Sequence, residues 1–266
     1  MPSRQQPERR LAFGRVAELY EKARPSYPRD LVEQVAEYAR LEPGDRILDV
    51  GAGTGKATRL FAGRGQEIVA LEPSAEMAAV ARSALDGLAG VTIVESEFER
   101  WEPQAGPFKL AISGQAWHWI DPEVGYARAR ALLTRGGALA VFWNFADWQN
   151  SPIRPALDEA YREAAPELEP TGPMHPLARR GDLSPDWEAE IAATDGFAAP
   201  EIRNFSWRQR YSADAYVRLI STHSDHVVLE PAIRERLLAR VAKAILAYGG
   251  EFELAYGTRL CLARAV

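Results

Sequence analysis

Cysteine and lysine are scarce in this sequence, and it contains no long apolar run. Its one cysteine, Cys261, has no partner for an internal disulfide, and no Cys/His cluster offers the ligand spacing of a zinc site. No apolar stretch approaches the roughly 18 residues that span a bilayer. Residues 1–6 lack the apolar character of a signal peptide. We therefore expect a cytoplasmic protein that contacts no membrane and holds no metal.

The charge pattern bears on possible partners. The net charge is −5, and the arginines alternate with acids along helices, as in Arg234-Glu235-Arg236. A protein that grips nucleic acid usually gathers its basic side chains on one face. The pattern here is typical of solvated helix faces, so we expect no nucleic-acid partner.

Short apolar strands alternate with helices from residue 45 onward, which predicts βαβ units and a mostly parallel sheet. The fold class that follows is α/β, a Rossmann-like sheet of seven strands with helices on both faces. The predicted strands are residues 46–50, 67–71, 91–94, 108–112, 138–143, 202–211 and 253–263. The predicted helices are residues 8–24, 29–39, 55–63, 74–85, 121–133, 213–222 and 231–248.

The same pattern divides the chain into four parts. Residues 1–40 form an N-terminal helical segment, and residues 41–146 form the Rossmann-like core. The alternation stops after Asn144, and residues 147–200 are rich in proline and acids. We interpret residues 147–200 as a helical cap inserted near the ligand crevice, and residues 201–266 as the completion of the sheet.

Residues 46–55 read Arg-Ile-Leu-Asp-Val-Gly-Ala-Gly-Thr-Gly, a strand that leads into three alternating glycines. Glycine lets the backbone turn sharply and approach a ligand, and the next helix offers free N–H groups. The sequence does not match a phosphate-binding P-loop, because Val50 stands in place of the first glycine and Ala57 stands in place of the Ser or Thr. A dinucleotide-binding fingerprint requires glycine where Lys56 stands. This mismatch is less decisive, because variants of the fingerprint exist. A turn without a ligand is the remaining alternative.

Asp49 distinguishes between possible ligands. It stands at the carboxyl end of the first strand, where open α/β sheets bind ligands. A carboxylate there would repel a pyrophosphate, but it would attract a sulfonium cofactor that carries an ammonium group. Alternatively, Asp49 caps the glycine loop by accepting hydrogen bonds from backbone N–H groups.

Residues 48–55, Leu-Asp-Val-Gly-Ala-Gly-Thr-Gly, resemble motif I of class I S-adenosylmethionine-dependent methyltransferases, and the resemblance extends over about residues 10–145. It implies S-adenosylmethionine as the cofactor and residues 41–146 as its binding core. Glu72 matches the acid that binds both ribose hydroxyls, a role that suits charge-assisted hydrogen bonds. The other contacts that the resemblance implies in this core are Asp49, Gly51, Ala52, Gly53, Thr54, Pro73, Ser74, Met77, Ser113 and Gln115.

Glu97 and Phe98 follow the third strand, where the family contacts adenine. The resemblance implies that Glu97 accepts from the exocyclic amine and that Phe98 lies beside the base. The family often has Asp followed by a small residue at these positions, so a solvated acid and a core aromatic are the alternative interpretation.

The N-terminal segment is similar to that of the trans-aconitate methyltransferase-like branch, a group of small-molecule enzymes with a methyltransferase type 11 domain. The similarity lies in residues 13–20, in Arg24-Pro25-Ser26-Tyr27-Pro28 and in residues 115–119. In that branch an N-terminal Tyr and Arg close over the cofactor. Tyr20 and Arg24 are therefore candidates for its methionine carboxylate, which the planar fork of Arg fits. An exposed Arg at a helix end is the alternative.

Trp117-His118-Trp119 follows the fourth strand, near the expected methyl group. His118 is the candidate catalytic residue, as a base or an orienting donor, in a substrate pocket that Trp117 and Trp119 line. The alternative is a buried histidine between packing tryptophans. Each of the other histidines, His175, His223 and His226, could touch an acceptor, but such residues are usually surface or satisfied side chains, and we expect none of them to bind a metal.

The function that these observations favour is methyl transfer from S-adenosylmethionine to a small-molecule acceptor, at a carboxylate or a hydroxyl. No Asn-Pro-Pro-Tyr element of the amino-methylating nucleic-acid enzymes follows the fourth strand; Ser113-Gly114-Gln115 stands there instead. Two rivals remain at this point. One is an NAD-dependent oxidoreductase on a similar fold, and the other is a protein that binds S-adenosylmethionine without catalysis.

Overall fold

The computed structural model describes residues 16–168 and 187–266. Its strands are β1 Arg46–Val50, β2 Glu67–Leu71, β3 Val91–Val94, β4 Phe108–Gly114, β5 Leu133–Ala146, β6 Glu201–Ser212 and β7 Glu251–Arg264. Its helices are α1 Ala17–Ala23, α2 Arg29–Ala39, α3 Lys56–Phe61, α4 Ala75–Ala84, α5 Pro122–Leu132, α6 Arg154–Ala164, α7 Trp187–Ala192, α8 Ala213–Ile220, α9 Ser224–Val227 and α10 Pro231–Tyr248. Single turns of 3₁₀ helix cover Trp117–Trp119 and Pro166–Leu168.

Local side-chain chemistry explains where several helices begin. The hydroxyl of Ser74 accepts a 3.3 Å hydrogen bond from Met77 N–H and so caps α4. Asp121 caps α5 by accepting a 3.0 Å hydrogen bond from Glu123 N–H. Pro122 fits the first turn of α5, because an N–H at that position would have no acceptor within the helix. These caps place the two helices directly after the loops that follow β2 and β4.

The seven strands form one sheet in the order β3-β2-β1-β4-β5-β7-β6. The pairs β1/β2, β2/β3, β1/β4 and β4/β5 are parallel. This architecture confirms the predicted Rossmann-like fold, and β1, β2 and β3 begin and end where the sequence predicts. The strand order reverses between β1 and β4, and open α/β sheets bind ligands at the carboxyl ends of strands beside such a switch point.

The described residues group into two compact units. The sheet unit comprises residues 26–144, 187–205 and 258–266, and the helical unit comprises residues 16–25, 145–168 and 206–257. The predicted cap, residues 147–200, is therefore divided between the two units, and its residues 169–186 lie outside the described ranges.

The sheet unit has a core on each face of its strands. Ile47 packs with α2 and α3 in one cluster, and the next residue, Leu48, belongs to a second cluster with Tyr126 of α5. This alternation is the period of two expected for a strand that is buried on both faces. Cys261 of β7 is buried in the second cluster, as the apolar sequence around it predicts.

The helical unit has a core of its own. Trp148, Leu157 of α6, Tyr216 of α8, Leu237 of α10 and Phe252 of β7 are all buried in one cluster. Within residues 16–168 and 187–266, no helix combines the length and the apolar composition that crossing a membrane requires.

Candidate active site

The glycine loop after β1 meets the segment after β4. Gly51 has a φ of +71°, and a Cβ added there would lie 2.5 Å from Cβ of Ala116. The backbone N–H groups of Gly51 and Ala52 donate to the carbonyl of Leu71 at 3.0 and 2.9 Å. Glycine at position 51 is therefore required by the backbone angle and by the close approach of the second loop.

Glu72 fixes this loop in place. The Oε2 atom of Glu72 accepts a 2.9 Å hydrogen bond from Gly53 N–H, and its Oε1 atom accepts a 2.8 Å bond from Ser74 N–H. The carboxylate is buried and joins the glycine loop to the residue that caps α4. A carboxylate oxygen can accept two hydrogen bonds, so these two bonds do not by themselves exclude a ligand from Glu72.

Asp49 is fully buried below the loop. Its Oδ2 atom accepts a 2.6 Å hydrogen bond from the Thr58 hydroxyl, while its Oδ1 atom has no hydrogen-bond partner among the residues that the structure describes. Burial raises the pKa of Asp49 to about 7, and the nearby Glu72 carboxylate acts in the same direction. The loop-capping role considered for Asp49 is thus filled by Glu72, which binds Gly53 N–H.

Glu97 and Phe98 lie just beyond β3, with different surroundings. Glu97 forms an ion pair of 3.3 Å with Arg100 and is partly exposed. Phe98 is buried at 2% exposure, and its ring centroid lies 5.9 Å from that of Trp117. The burial of Phe98 agrees with the alternative interpretation, a core aromatic. The contact of Glu97 or Phe98 with adenine stays a prediction.

Ser113 and Gln115 shape the end of β4. The buried hydroxyl of Ser113 donates a 2.8 Å hydrogen bond to the carbonyl of Val50, which ties the ends of β4 and β1 together. Gln115 has a φ of +55°, an unusual value for a residue with a side chain, and its N–H donates to the Phe142 carbonyl at 2.9 Å. The chain therefore turns sharply where the predicted substrate segment begins.

The three aromatic residues of the Trp-His-Trp segment have different surroundings. Trp117 is 3% exposed and packs in the core, 5.2 Å from the ring of Tyr126. His118 lies 4.3 Å from the ring of Trp119 and 4.5 Å from that of Trp143. Burial lowers the pKa of His118 to about 3, and its Nδ1 atom has no hydrogen-bond partner within the described ranges.

Two further tryptophans join this cluster: Trp143, which the sequence did not assign to the site, and Trp187, which lies in the predicted cap. Trp143 is a residue of β5, and its ring lies 5.4 Å from that of Trp187 in α7. Trp187 is 4% exposed, and its Nε1 has no hydrogen-bond partner in the described part of the chain. The sequence predicts Trp143 as the last residue of a strand. It does not predict the contact of Trp143 with His118, because that contact depends on the order of the strands.

Tyr20 and Arg24, the predicted carboxylate contacts, belong to the helical unit. Arg24 donates from Nε to the Thr222 hydroxyl at 2.8 Å and from Nη2 to the Thr222 carbonyl at 3.0 Å. Its guanidinium carbon lies 5.1 Å from the centroid of the Tyr20 ring. Thr222 is thus a positioning partner that the sequence did not reveal, because it is 198 residues away along the chain. The contact of Tyr20 and Arg24 with the cofactor stays a prediction.

His223, Asp225 and His226 lie together in the helical unit, with one potential ligand atom from each within 4.8 Å of the others. The sequence had placed both histidines among surface or satisfied side chains. The sequence places the three residues within four positions, but α9 is only four residues long and gives no periodic signal to show that their side chains converge. His175 lies outside the described residues.

Comparison with known proteins gives the catalytic class of the chain. Residues 47–137 match a protein family described as a methyltransferase domain. An uncharacterized methyltransferase of Mycobacterium tuberculosis is 27% identical over 235 residues, which covers 88% of this chain and 86% of the relative. The protein is an S-adenosylmethionine-dependent methyltransferase of class I. Nothing in these comparisons supports an NAD-dependent oxidoreductase.

Solved structures share the fold of this methyltransferase. A proposed type II methyltransferase of Anaeromyxobacter dehalogenans has a TM-score of 0.61 and 22% identity, with 91% of this chain and 97% of that chain covered. The phosphoethanolamine N-methyltransferase 2 of Haemonchus contortus, solved in complex with S-adenosyl-L-methionine, has a TM-score of 0.54 and 16% identity, over 98% of this chain and 58% of that chain.

The residues of the sheet unit fit S-adenosylmethionine, the cofactor of the methyltransferase. A buried Asp49 oxygen without a described partner suits a ligand that carries positive charge. The Glu72 carboxylate lies beside a loop whose glycines allow close approach of a ligand. The chemistry that the cofactor supplies is a methyl group on a sulfonium, ready for displacement by an acceptor.

Proposed function

We propose that the enzyme methylates a small-molecule acceptor at a carboxylate or a hydroxyl, as the resemblance to the trans-aconitate methyltransferase-like branch implies. The observation that carries the proposal is the cluster of His118, Trp119 and Trp143 next to the segment that touches the glycine loop. Aromatic walls with few polar groups are typical of pockets for small ligands. A net charge of −5 disfavours a polynucleotide as the acceptor.

The cofactor contacts that we propose follow the geometry of the glycine loop. Asp49 attracts the positive charge of the cofactor, and the ribose hydroxyls donate to Glu72. The remaining proposed contacts in the sheet unit are Gly51, Ala52, Gly53, Thr54, Pro73, Ser74, Met77, Glu97, Phe98, Ser113 and Gln115. Tyr20 and Arg24 are proposed for the methionine carboxylate.

The environment of His118 favours one chemistry over another. Methyl transfer requires the acceptor atom, the methyl carbon and the sulfur to lie in line, with water excluded. A histidine with a pKa of about 3 is a weak base at neutral pH, so it is poorly suited to take a proton from a phenol or an ammonium. As an orienting partner, His118 suits an acceptor that is already ionised. A carboxylate is therefore the acceptor group that we favour within the proposal.

Radiolabelled methyl transfer tests the proposal directly. Purified enzyme and methyl-labelled S-adenosylmethionine are incubated with a panel of small carboxylic acids, alcohols, phenols and amines, and with total RNA and denatured protein as separate arms. We expect label in a small carboxylic acid or hydroxyl compound. Label that enters only RNA or protein would contradict the proposed acceptor class while leaving methyl transfer intact.

His118→Asn tests the role of the aromatic cluster, with Trp148→Phe in the helical unit as an aromatic control. We expect a higher KM for the acceptor found in the screen and an unchanged Kd for the cofactor. If His118→Asn left turnover and acceptor affinity unchanged, the assignment of this cluster to the acceptor would be wrong.

The cellular location is proposed on composition alone. One cysteine in 266 residues suits a reducing compartment, and we propose the cytoplasm. Fractionation of cells that express the chain with a small epitope tag tests this, and recovery with membranes or in the medium would count against it.

A further inference from the structure

Two histidines and one carboxylate meet on a short helix of the helical unit. His223 precedes α9, and Asp225 and His226 lie within it, so the three residues span only four positions of the chain. One potential ligand atom of each lies within 4.8 Å of the others. Ligand atoms of a tetrahedral zinc ion are about 3.3–3.6 Å apart, because zinc–nitrogen and zinc–oxygen distances are about 2.0–2.2 Å. Side-chain movements of about an ångström would therefore bring all three atoms to one ion.

The surroundings of His226 indicate which of its nitrogens faces the ion. His226 is fully buried, its Nδ1 lies 2.8 Å from Oδ1 of Asp225, and its Nε2 lies 2.7 Å from the hydroxyl of Tyr161. When Nε2–H donates to Tyr161, the lone pair of Nδ1 points at the Asp225 carboxylate. In that tautomer two acceptor atoms face each other, and a metal ion can bind both of them. In the other neutral tautomer Nδ1–H donates to Asp225 and the Tyr161 hydroxyl donates to Nε2.

We propose that His223, Asp225 and His226 form a binding site for a divalent transition-metal ion, with Zn²⁺ as the best fit. Two imidazoles and one carboxylate are a ligand set that suits zinc and its neighbours in the first transition row, whereas Mg²⁺ and Ca²⁺ prefer oxygen alone. Tyr161 then acts on the metal indirectly, by accepting from Nε2–H and holding the ring of His226. A hydrogen bond of this kind accompanies nearly every metal-bound histidine.

The position of the site in the chain suggests a structural consequence. Thr222, which holds Arg24 through its hydroxyl and its carbonyl, is the residue directly before His223. An ion bound by the three side chains restrains the backbone of residues 223–226 and therefore the acceptor atoms of Thr222. His223 and Asp225 are partly exposed, so the remaining coordination positions of the ion are open to water. Metal binding and methyl transfer are separate properties here, and either can fail without the other.

Metal titration of the whole protein tests the site. The chain is prepared without a histidine tag, stripped with EDTA, exchanged into metal-free buffer and titrated with ZnCl₂ by calorimetry, with zinc counted by elemental mass spectrometry. We expect saturable binding of about one Zn²⁺ per chain. Co²⁺ in place of Zn²⁺ should give visible absorption bands that report nitrogen and oxygen ligands.

Four variants distinguish this site from binding elsewhere. Asp225→Asn and His223→Gln each remove one ligand, and we expect the Kd for Zn²⁺ to rise at least about tenfold in each. Tyr161→Phe keeps all three ligands, and we expect a rise of about 10–100-fold. His175→Gln, which changes a histidine outside the group, should leave the Kd unchanged.

The proposal fails on either of two results. One is the absence of saturable Zn²⁺ and Co²⁺ binding to wild-type protein, and the other is an unchanged Kd in both Asp225→Asn and His223→Gln. Circular dichroism of each metal-free variant shows whether it is folded, and the Co²⁺ spectrum of the wild type tests the nitrogen and oxygen ligand set without any variant. A negative result would mean that Tyr161, His226 and Asp225 form a hydrogen-bonded chain in which Nδ1–H of His226 donates to Asp225.

Discussion

The N–H of Gly53 donates a 2.9 Å hydrogen bond to Oε2 of Glu72, so that an acid at the end of β2 holds the glycine loop after β1. The second oxygen of the same carboxylate accepts from Ser74 N–H, at the start of α4. One buried side chain therefore sets the conformation of the loop and the position of the next helix. Its role in the fold and its proposed role in cofactor binding can both be tested by substitution.

Glu72→Gln should loosen the glycine loop and weaken cofactor binding. Glutamine has one acceptor oxygen, so one of the two N–H groups loses its partner, and the charge that strengthens both bonds disappears. Hydrogen bonds to charged groups contribute about 1.5–3 kcal/mol, which corresponds to a rise of roughly 10–100-fold in the Kd for S-adenosylmethionine. Calorimetric titration measures this. Glu67→Gln, an exposed position of the same strand, is the control and should leave the Kd unchanged.

Asp49→Asn should stabilise the cofactor-free protein at alkaline pH and weaken cofactor binding. Burial raises the pKa of Asp49 from 3.8 to about 7, so the folded state disfavours the charged form. The resulting loss of stability is small at pH 4, grows as the pH rises towards 7 and is complete above it. The difference between the folded and unfolded pKa values of Asp49 corresponds to a destabilisation of roughly 4 kcal/mol. The gain in stability of Asp49→Asn should be smaller, because the amide of Asn must also be buried.

Thermal unfolding at pH 5 and pH 8 measures this effect. We expect the Tm of Asp49→Asn, relative to wild type, to be higher at pH 8 than at pH 5. The affinity of the wild type for S-adenosylmethionine should also fall as the pH drops below about 7, where Asp49 gains a proton. Asp86→Asn, at an exposed position, should show neither trend. Equal Tm differences at the two pH values would contradict the assigned cost of burying this charge.

Gly51→Ala should destabilise the protein by more than Gly63→Ala does. Both glycines have a positive φ, +71° and +78°, so both alanines carry a backbone cost of about 1–2 kcal/mol. Only the Cβ at position 51 would meet another atom, Cβ of Ala116 at 2.5 Å, while nothing lies within 4 Å of the one at position 63. Chemical denaturation gives the two free energies of unfolding, and the excess for Gly51→Ala measures the close approach of the loops. Equal values would mean that the loops separate at little cost.

His118 should remain neutral at pH values where an ordinary histidine is charged. Burial lowers its pKa to about 3, below the usual value of 6.5, so the fold favours the neutral ring. The part of the stability that depends on this neutral ring is fully present above pH 6.5 and is lost as the pH falls from there towards 3. Nitrogen chemical shifts of ¹⁵N-labelled histidines, recorded from pH 8 to pH 4, measure the protonation directly.

Urea-unfolded protein provides the reference for this titration, since all its histidines should titrate near pH 6.5. His118→Gln should lose less stability than wild type between pH 6.5 and pH 4. A His118 signal that titrates near pH 6 would show that water reaches the ring, and its role as a neutral orienting partner would have to be abandoned.

The local parts of the site could be predicted because they depend on short stretches of sequence. The glycine loop follows a strand whose apolar run is unambiguous, and Glu72 follows the next strand in the same way. For these elements the period of the apolar residues and the positions of the glycines are sufficient. β5 was harder to delimit: the sequence predicted residues 138–143, and the strand covers Leu133–Ala146. Its ends contain glycine and polar residues that carry little strand signal.

The sequence by itself determined the alternation of strands and helices, the turn after β1 and the acidic residues at the carboxyl ends of β1 and β2, since each depends on neighbours in the chain. Only the tertiary structure decided that Trp143 and Trp187 join His118, that Thr222 holds Arg24, and that His223, Asp225 and His226 converge. The physical reason is the order of the strands and the packing of short helices. These bring together side chains that are far apart in the chain, or that lie on a helix too short to leave a periodic pattern.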